Sequence, residues 1–368
     1  RRTQGAGSAP VINRRKTRRI NVGKVPIGDG APISVQSMTN TDTRDVGATL
    51  SQISALAAAG CEIVRVAVPD DDAATALSEI MQRSLLPVIA DIHFHHKLAL
   101  ASLEAGVDGL RINPGNIGAR WKVEEVVRVA AERSVPIRIG VNAGSLERDL
   151  LLKHGGPTPD ALVESALGHI KILEDLDFDL IKVSIKGSHV LQTVEACEKF
   201  SAARDYPLHI GITEAGTLHR GSVKSAVGMG ILLYEGLGDT MRVSLTGDPV
   251  REVETAWWIL SALGLRSRGV EVISCPTCAR TRLSIESMAL EIEKRLSDLD
   301  VPLTVAVMGC EVNGPGEARE ADVGVASGKG VGILFRKGEV VDKVPAEKLL
   351  DALEREARKV AADHDDNE

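Results

Sequence analysis

With 368 residues, 43% of them hydrophobic and 26% charged, the chain has the composition of a soluble globular protein with a sizeable core, which excludes wholesale disorder. A formal net charge of -7 argues against a protein whose main partner is the phosphate backbone of nucleic acid. No apolar run approaches the roughly 18 to 20 residues that cross a bilayer, and no apolar signal core follows the basic N-terminus, so a cytoplasmic location without a membrane partner is expected.

Arginine and lysine crowd residues 1 to 20, with RRKTRR at 14 to 19 and no acidic residue before Asp29. This segment reads as a solvated basic tail feeding a first strand; an RNA-contacting arm or a transit-peptide remnant are the alternatives. From residue 32 a β-like run recurs every 20 to 45 residues: PISVQSM (32–38), EIVRVAV (62–68), LPVIADIH (86–93), GLRINPG (109–115), PIRIGVN (136–142), DLIKVSIKG (179–187), PLHIGITEAG (207–216) and TMRVSLTGDP (240–249). Between them lie segments such as DVGATLSQISALAAAG and WKVEEVVRVAAERS, whose apolar residues recur at three and four, the spacing of one helix face. Strict alternation predicts parallel strands joined by right-handed crossovers, and eight such units close a (β/α)8 TIM barrel.

GLRSRG at 264–269 suits a linker. It divides the chain into a barrel for substrate binding, residues 1–265, and a smaller α+β module, residues 266–368. In the module, EVISCPTC reads as strand and loop, 282–297 as a helix, PLTVAVMGC as a strand, then DVGVAS, GVGILFR and EVVDKV as short strands before a helix from 345. The last residues, ADHDDNE, are expected to fray.

Polar residues inside the barrel strands are spaced by two: Arg111 with Asn113, Arg138 with Asn142, Lys182 with Ser184 and Lys186, His209 with Thr213, Arg242 with Ser244. Period two puts each set on one face, which in a barrel is the axis, and the C-terminal strand ends carry the active site. Six bases (Arg65, Arg111, Arg138, Lys182, Lys186, Arg242) in one mouth are costly without an anion, and a diphosphate balances them where one carboxylate would not. The loop TGDP opens the eighth helix, where barrels commonly hold phosphate. The competing expectation is a structural network in which these bases pair with Asp91, Glu214 and one another.

Of five cysteines, Cys61 and Cys197 sit in apolar contexts and read as inert buried thiols. Cys275-Pro-Thr-Cys278 and Cys310 supply three thiolates from two loops. A structural zinc would want a fourth Cys or His, and a thioredoxin-type pair would not need the third cysteine. The downstream carboxylate of GCEVNGPGE, Glu317, completes a set of four; as a hard oxygen ligand on soft iron it would be the one to leave, opening one iron to a substrate oxygen. A 4Fe-4S cluster, a zinc ion and unligated thiols all stay open on spacing alone. No GxGxxG fingerprint follows a strand, so electrons must come from a separate carrier; SGKGVG (327–332) lacks the Walker pattern and reads as a hairpin turn.

The stretches VPIGDGAPISVQSMTNTDTRD, EIVRVAVP, ADIHF, LRINPGNIG, RIGVNAGSL, IKVSIKGS, GITEAG, RVSLTGDP, CPTCART and VMGCEVNGPGE run over nearly the whole chain. Together they resemble the 4-hydroxy-3-methylbut-2-enyl diphosphate synthases of the non-mevalonate isoprenoid pathway, with CPTC and GCEVNGPGE the most specific. The resemblance implies a barrel followed by a reductase-like 4Fe-4S domain, in the compact form without an inserted domain. It implies conversion of 2-C-methyl-D-erythritol 2,4-cyclodiphosphate by two electrons and loss of water, with ferredoxin or flavodoxin as donor and a head-to-tail homodimer. Carried over by position, Cys275, Cys278, Cys310 and Glu317 become cluster ligands. Arg65, Arg111, Arg138, Asn142, Lys186, Arg242 and Ser244 become diphosphate contacts, Asp91, His209 and Glu214 surround the carbon skeleton, and Glu214 is the candidate for acid-base work. The alternatives are a redox-sensing diphosphate-binding protein, or a barrel for a phosphorylated or pterin-like ligand with a structural zinc.

Overall fold

The computed structural model describes residues 12–278, 281, 284–310, 314–327 and 330–365. The chain folds into two units, the first ending at Arg266 and the second beginning at Ser267. The first opens with a hairpin, β1 (Ile20–Val22) and β2 (Val25–Ile27), followed by β3 (Ser34–Met38), β4 (Ile63–Ala67), β5 (Val88–Asp91), β6 (Gly109–Ile112), β7 (Ile137–Asn142), β8 (Ile181–Lys186), β9 (His209–Ile210) and β10 (Thr240–Met241). Strands β3 to β10 form one sheet in the order β8-β7-β6-β5-β4-β3-β10-β9, and every neighbouring pair is parallel. A parallel bridge between Val183 and Leu208, with the Val183 amide donating to the Pro207 carbonyl at 2.9 Å, brings the ends together into the TIM barrel expected from the sequence.

All eight runs read as strands are present, but the last two are shorter than expected. Pairing stops after Ile210 and Met241, where the Arg242 carbonyl lies 2.5 Å from the place a Cβ on Gly211 would occupy. Only glycine permits that approach.

The strands are apolar on the face turned to the helices. Val64, Val88, Leu110, Ile137 and Ile181 pack there with Ile53, Leu56, Leu77 and Ile80 of the helices Val46–Ala58 and Asp71–Arg83. Each such side chain stabilises the fold by about 1.5–3 kcal/mol when fully buried. Helix starts are fixed by side-chain caps: Asp45 accepts from the Ala48 amide, Asp70 from Ala73, Thr158 from Ala161 and Asp248 from Val250. These caps follow the C-terminal ends of strands, so they also fix the loops that form the barrel mouth.

The basic N-terminal segment is not a solvated tail from residue 12 onward. Ile20, Val22 and Ile27 of the hairpin pack on Ile63 and Ile89, at the starts of β4 and β5. The Arg15 guanidinium donates to the carbonyls of Ser201 (3.0 Å), Arg204 (2.6 Å) and Tyr206 (2.9 Å), Thr17 donates to Asp239 (2.9 Å), and Arg18 stacks 4.4 Å over the Tyr206 ring. Arg14 and Arg15 satisfy backbone carbonyls at the N-terminal end of the barrel, leaving its opposite end for ligands.

In the second unit β11 (Val270–Ser274), β12 (Leu303–Met308) and β13 (Val323–Ser327) run parallel, and β14 (Val331–Arg336) and β15 (Glu339–Pro345) complete the sheet antiparallel. The helices Ile285–Arg295 and Leu349–Asp365 cover one face, where Ile292, Leu353 and Val360 pack on Val305, Val307 and Val323. A helix not foreseen from the sequence, Gly314–Glu320, begins in the glycine-proline run. It packs through Ala318 on Ala306, Ala326 and Phe335, and Gly324 makes the contact possible, since a Cβ there would stand 2.7 Å from the Ala318 carbonyl. The last helix continues to Asp365, so ADHD is helical where fraying was expected, while 366–368 and the centre of the SGKGVG turn, 328 and 329, lie outside the described residues. Among the described residues no helix is long and apolar enough to cross a membrane.

Candidate functional site

Register builds the barrel mouth. Asp91 pairs laterally with Arg111, Arg111 with Arg138, and Arg138 with Lys182, so one row across β5 to β8 carries a carboxylate and three bases. All four side chains are buried within the barrel, Arg138 at 3% and Lys182 at 2% exposure. Space for them is cleared by glycines on the same faces: a Cβ on Gly140 would stand 2.7 Å from Arg111 Nε, and one on Gly211 2.7 Å from Lys186 Nζ.

Two carboxylates hold part of this charge. Asp91 accepts from Arg111 (3.2 Å) and pairs with Arg65 (3.4 Å) and His93 (3.7 Å). Burial by itself would raise the Asp91 carboxyl, but Arg65, His93, Arg111 and Arg138 together hold it well below the usual range. Glu252, on the helix Pro249–Ala262, takes Arg242 in a fork of two 3.2 Å bonds and also accepts from Ser37 Oγ (3.2 Å) and the Leu245 amide (2.9 Å). The Met38 sulfur lies 2.9 Å from Arg65 Nη2 and 3.7 Å from Arg242 Nη1, between the two guanidinia.

Other donors of this interior have no such partner: among the described residues Arg138 Nε and Nη1, Arg111 Nε, Lys182 Nζ and His209 Nε2 are buried without a hydrogen-bond acceptor. Burial, reinforced by neighbouring positive charges, pushes Arg138, Lys182, Lys186 and His209 well below their ordinary values, and brings Arg65 down to about 10. Buried donors left unsatisfied cost free energy unless a ligand completes them, and here the donors and the charge both ask for an anion.

At the rim, Asn142 is half-buried, Ser244 is half-buried beyond β10, and Glu214 is exposed with φ 53°, a left-handed conformation uncommon for a residue with a Cβ. Asn142, Thr213 and Glu214 line a cleft of about 450 Å³ together with Ser188 and His189 at the C-terminal ends of β7, β8 and β9. A groove of about 590 Å³ lies instead on the outer helices, lined by His154, Glu164, Lys171 and Lys199, and shares no residue with the basic mouth.

In the second unit, the cysteines follow the C-terminal ends of adjacent parallel strands. Ser274 pairs with Val307, the Cys275 amide donates to the Val307 carbonyl, and the Gly309 amide donates to Cys275 Sγ at 3.2 Å, one residue before Cys310. Cys275 is half-buried, Cys310 buried and Cys278 exposed, while Glu317 is exposed in the first turn of Gly314–Glu320. Among the described residues, no three His, Cys, Asp or Glu side chains converge closely enough to hold a single metal ion. The donor chemistry still suits a cluster: a four-iron centre takes one donor per iron and needs no convergence on one point, and a backbone amide aimed at a cysteine sulfur is the hydrogen bond that tunes such clusters.

A family model described as the GcpE TIM-barrel domain matches residues 17–257, and one for the GcpE protein C-terminal domain matches 271–359. The chain belongs to the GcpE family. Relatives named 4-hydroxy-3-methylbut-2-en-1-yl diphosphate synthase (flavodoxin) include that of Geobacter sulfurreducens, 64% identical over 95% of this chain and 99% of its own. That of Thermodesulfovibrio yellowstonii is 59% identical over 95% of this chain and 100% of its own. Among solved structures, the dihydropteroate synthase of Yersinia pestis aligns at 12% identity with TM-score 0.49, over 67% of this chain and 97% of that one.

Within the GcpE barrel the structure brings Arg65, Asp91, Arg111, Arg138, Lys186, His209 and Arg242 to one interior, with Asn142, Ser244 and Glu214 at its rim. The structural network expected as an alternative is present only in part: Asp91 neutralises two bases, whereas Glu214 is exposed, and Glu252 takes the place it was given. Glu252 was missed although a signal exists. Pro249, Glu252, Val253, Ala256 and Leu260 recur at three and four, so the acid stands on its helix's buried stripe. Gln36 and Met38 were also missed; the period of two in SVQSM puts both on the face of Ser34.

Proposed function

We propose that this chain reduces 2-C-methyl-D-erythritol 2,4-cyclodiphosphate to 4-hydroxy-3-methylbut-2-enyl diphosphate by two single-electron transfers, opening the ring with loss of water in isoprenoid precursor synthesis. It is an oxidoreductase of the GcpE family. The observation that carries the substrate reading is the buried row of bases: more cation than Asp91 and Glu252 neutralise, with donors left over on Arg111, Arg138 and Lys182. Guanidinium forks match phosphate oxygens in bidentate fashion, and a diphosphate supplies acceptors for several at once.

Arg65, Arg111, Arg138, Lys186 and Arg242 hold the diphosphate, with Asn142 and Ser244 at the rim. Asp91 and His209 stand near the carbon skeleton, His209 as a neutral imidazole whose Nδ1 lies 3.3 Å from Thr240 Oγ1. Glu214, exposed in the cleft, is the group proposed to move protons. In the second unit Cys275, Cys278, Cys310 and Glu317 would hold a 4Fe-4S cluster, the three thiolates as permanent donors and the carboxylate as the exchangeable one. When bound, the cluster supplies electrons one at a time. Flavodoxin, named with the relatives, or ferredoxin is the proposed donor, and a head-to-tail homodimer the proposed assembly.

The test is anaerobic turnover with dithionite and a dye mediator on wild type and Glu317→Ala. Wild type is expected to form the allylic diphosphate, and the variant to keep an unstable cluster with much reduced turnover. An intact cluster that binds the cyclic diphosphate without forming product would overturn the enzymatic reading, and wild-type rates in Glu317→Ala would remove its special role.

A further inference from the structure

The lateral row Asp91, Arg111, Arg138, Lys182 has its one carboxylate at one end and Lys182 at the other. Lys182 is 2% exposed, its Nζ has no hydrogen-bond partner among the described residues, and its register neighbour is Arg138, itself buried with two nitrogens likewise unsatisfied. Adjacent strands lie about 4.8 Å apart, and a like charge on the neighbouring strand disfavours a second proton on the amine. The groups around the amine are mostly cationic or basic: Arg138 on β7, His209 on β9 and Arg65 on β4. Against them stands Asp239 ahead of β10, already accepting from Thr17 and the Leu208 amide.

We propose that Lys182 is neutral in the free protein and takes a proton from solvent when the cyclic diphosphate binds, so that substrate affinity is linked to pH through one buried amine. The proton lands on the Nζ lone pair and no covalent bond in the ligand changes. The entering anion offsets the charges of Arg138 and Arg65, which are what keep the proton away. Burial first, then the charges on Arg138 and Arg65, push the amine well below the ordinary lysine range, in the same direction as the geometry. Because the amine binds more protons with the ligand than without it, affinity rises as pH falls, by up to about tenfold per pH unit between the two protonation midpoints. The inference rests on the diphosphate reading of the barrel.

The experiment is calorimetric titration of the full chain with the cyclic diphosphate, without reductant, in two buffers of different ionisation enthalpy at one near-neutral pH. Each phosphorus of this ligand carries one ester and one anhydride linkage and so a single acidic oxygen, without the second ionisation that a monoester shows near pH 6, so the ligand adds no proton exchange of its own. Wild type is expected to take up close to one proton. Lys182→Met, and Lys182→Gln as a second replacement, are expected to melt no lower than wild type, to bind the ligand, and to lose most of that uptake together with the pH slope of affinity. Binding without uptake in wild type, or undiminished uptake in both variants, overturns the inference alone; absence of binding overturns the diphosphate reading and the inference with it.

Discussion

The barrel mouth and the cysteine-bearing end of the second unit place their chemistry differently. In the barrel every charged group stands on a strand or on the first turns beyond one, and hydrogen-bond register fixes who neighbours whom: Asp91 beside Arg111, Arg138 beside Lys182. In the second unit only the approach is fixed by strands, through the Ser274 to Val307 pairing and the Gly309 amide on Cys275, while Cys278 and Glu317 lie exposed beyond them. The first site is preorganised by the fold. In the second, strand register does not set where Cys278 and Glu317 stand. Damage to the barrel should therefore show in stability and binding, and damage to the thiols in colour and electron transfer.

The largest effect is expected at the thiols. Cys310→Ser replaces a buried soft donor with a hard hydroxyl, and should abolish turnover and the brown chromophore, measured as iron, sulfide and the visible spectrum of anaerobically purified protein. Full colour in this variant would mean that the ligand set is wrong. The same protein should still bind the cyclic diphosphate through the bases of the barrel row, which keep their partners.

Next comes Asp91. Its removal in Asp91→Ala leaves Arg65 and Arg111 buried without their carboxylate, which should cost about 3–5 kcal/mol, read by urea denaturation. The pH dependence has a definite sign. Since the folded carboxyl lies well below its unfolded value, its contribution is complete above an unfolded pKa of about 3.9 and is lost as pH falls toward the folded one. Asp91→Asn should therefore flatten the acid limb of the stability curve; an unchanged limb would show that Asp91 does not carry it.

The difference between the two regions also explains how much was legible in the sequence. Eight strands could be read because each is a short apolar run between helical periods, and the inward bases because period two separates faces. The short β9 and β10 could not be foreseen, since their ends are set by a carbonyl from the next strand pressing on Gly211. Glu252 was legible only as an acid on an apolar stripe, and its partner Arg242 lies across a loop that local spacing does not fold. The basic N-terminus looked like a tail because its partners, the carbonyls of Ser201, Arg204 and Tyr206, stand about 190 residues away. The helix Gly314–Glu320 was hidden by its glycines, of which Gly314 serves close packing on Met308 and Ala326. In the second unit CPTC and GCEVNGPGE suggest ligands by their residue types alone, because no periodicity beyond a strand end fixes how far apart such side chains stand.

The smallest effect is the one that separates binding from folding. Gly140 lies on the inner face of β7 between Arg138 and Asn142, and a Cβ there would stand 2.7 Å from Arg111 Nε and 3.1 Å from Nη2. The clash is with the far end of a side chain, so in Gly140→Ala the guanidinium can move while the strand stays, and the stability cost should fall at or below the roughly 1–3 kcal/mol of ordinary overpacking. Displaced from Asp91, however, Arg111 loses the aim that its 3.2 Å contact provides, and one misdirected charged hydrogen bond is worth about 1.5–3 kcal/mol, or about ten- to a hundredfold in affinity. The expected outcome is weaker cyclic diphosphate binding by calorimetry, a melting temperature within a few degrees of wild type, and an unchanged iron content. Equal losses of stability and binding would mean that the barrel row is a structural network, held for the fold rather than for an anion.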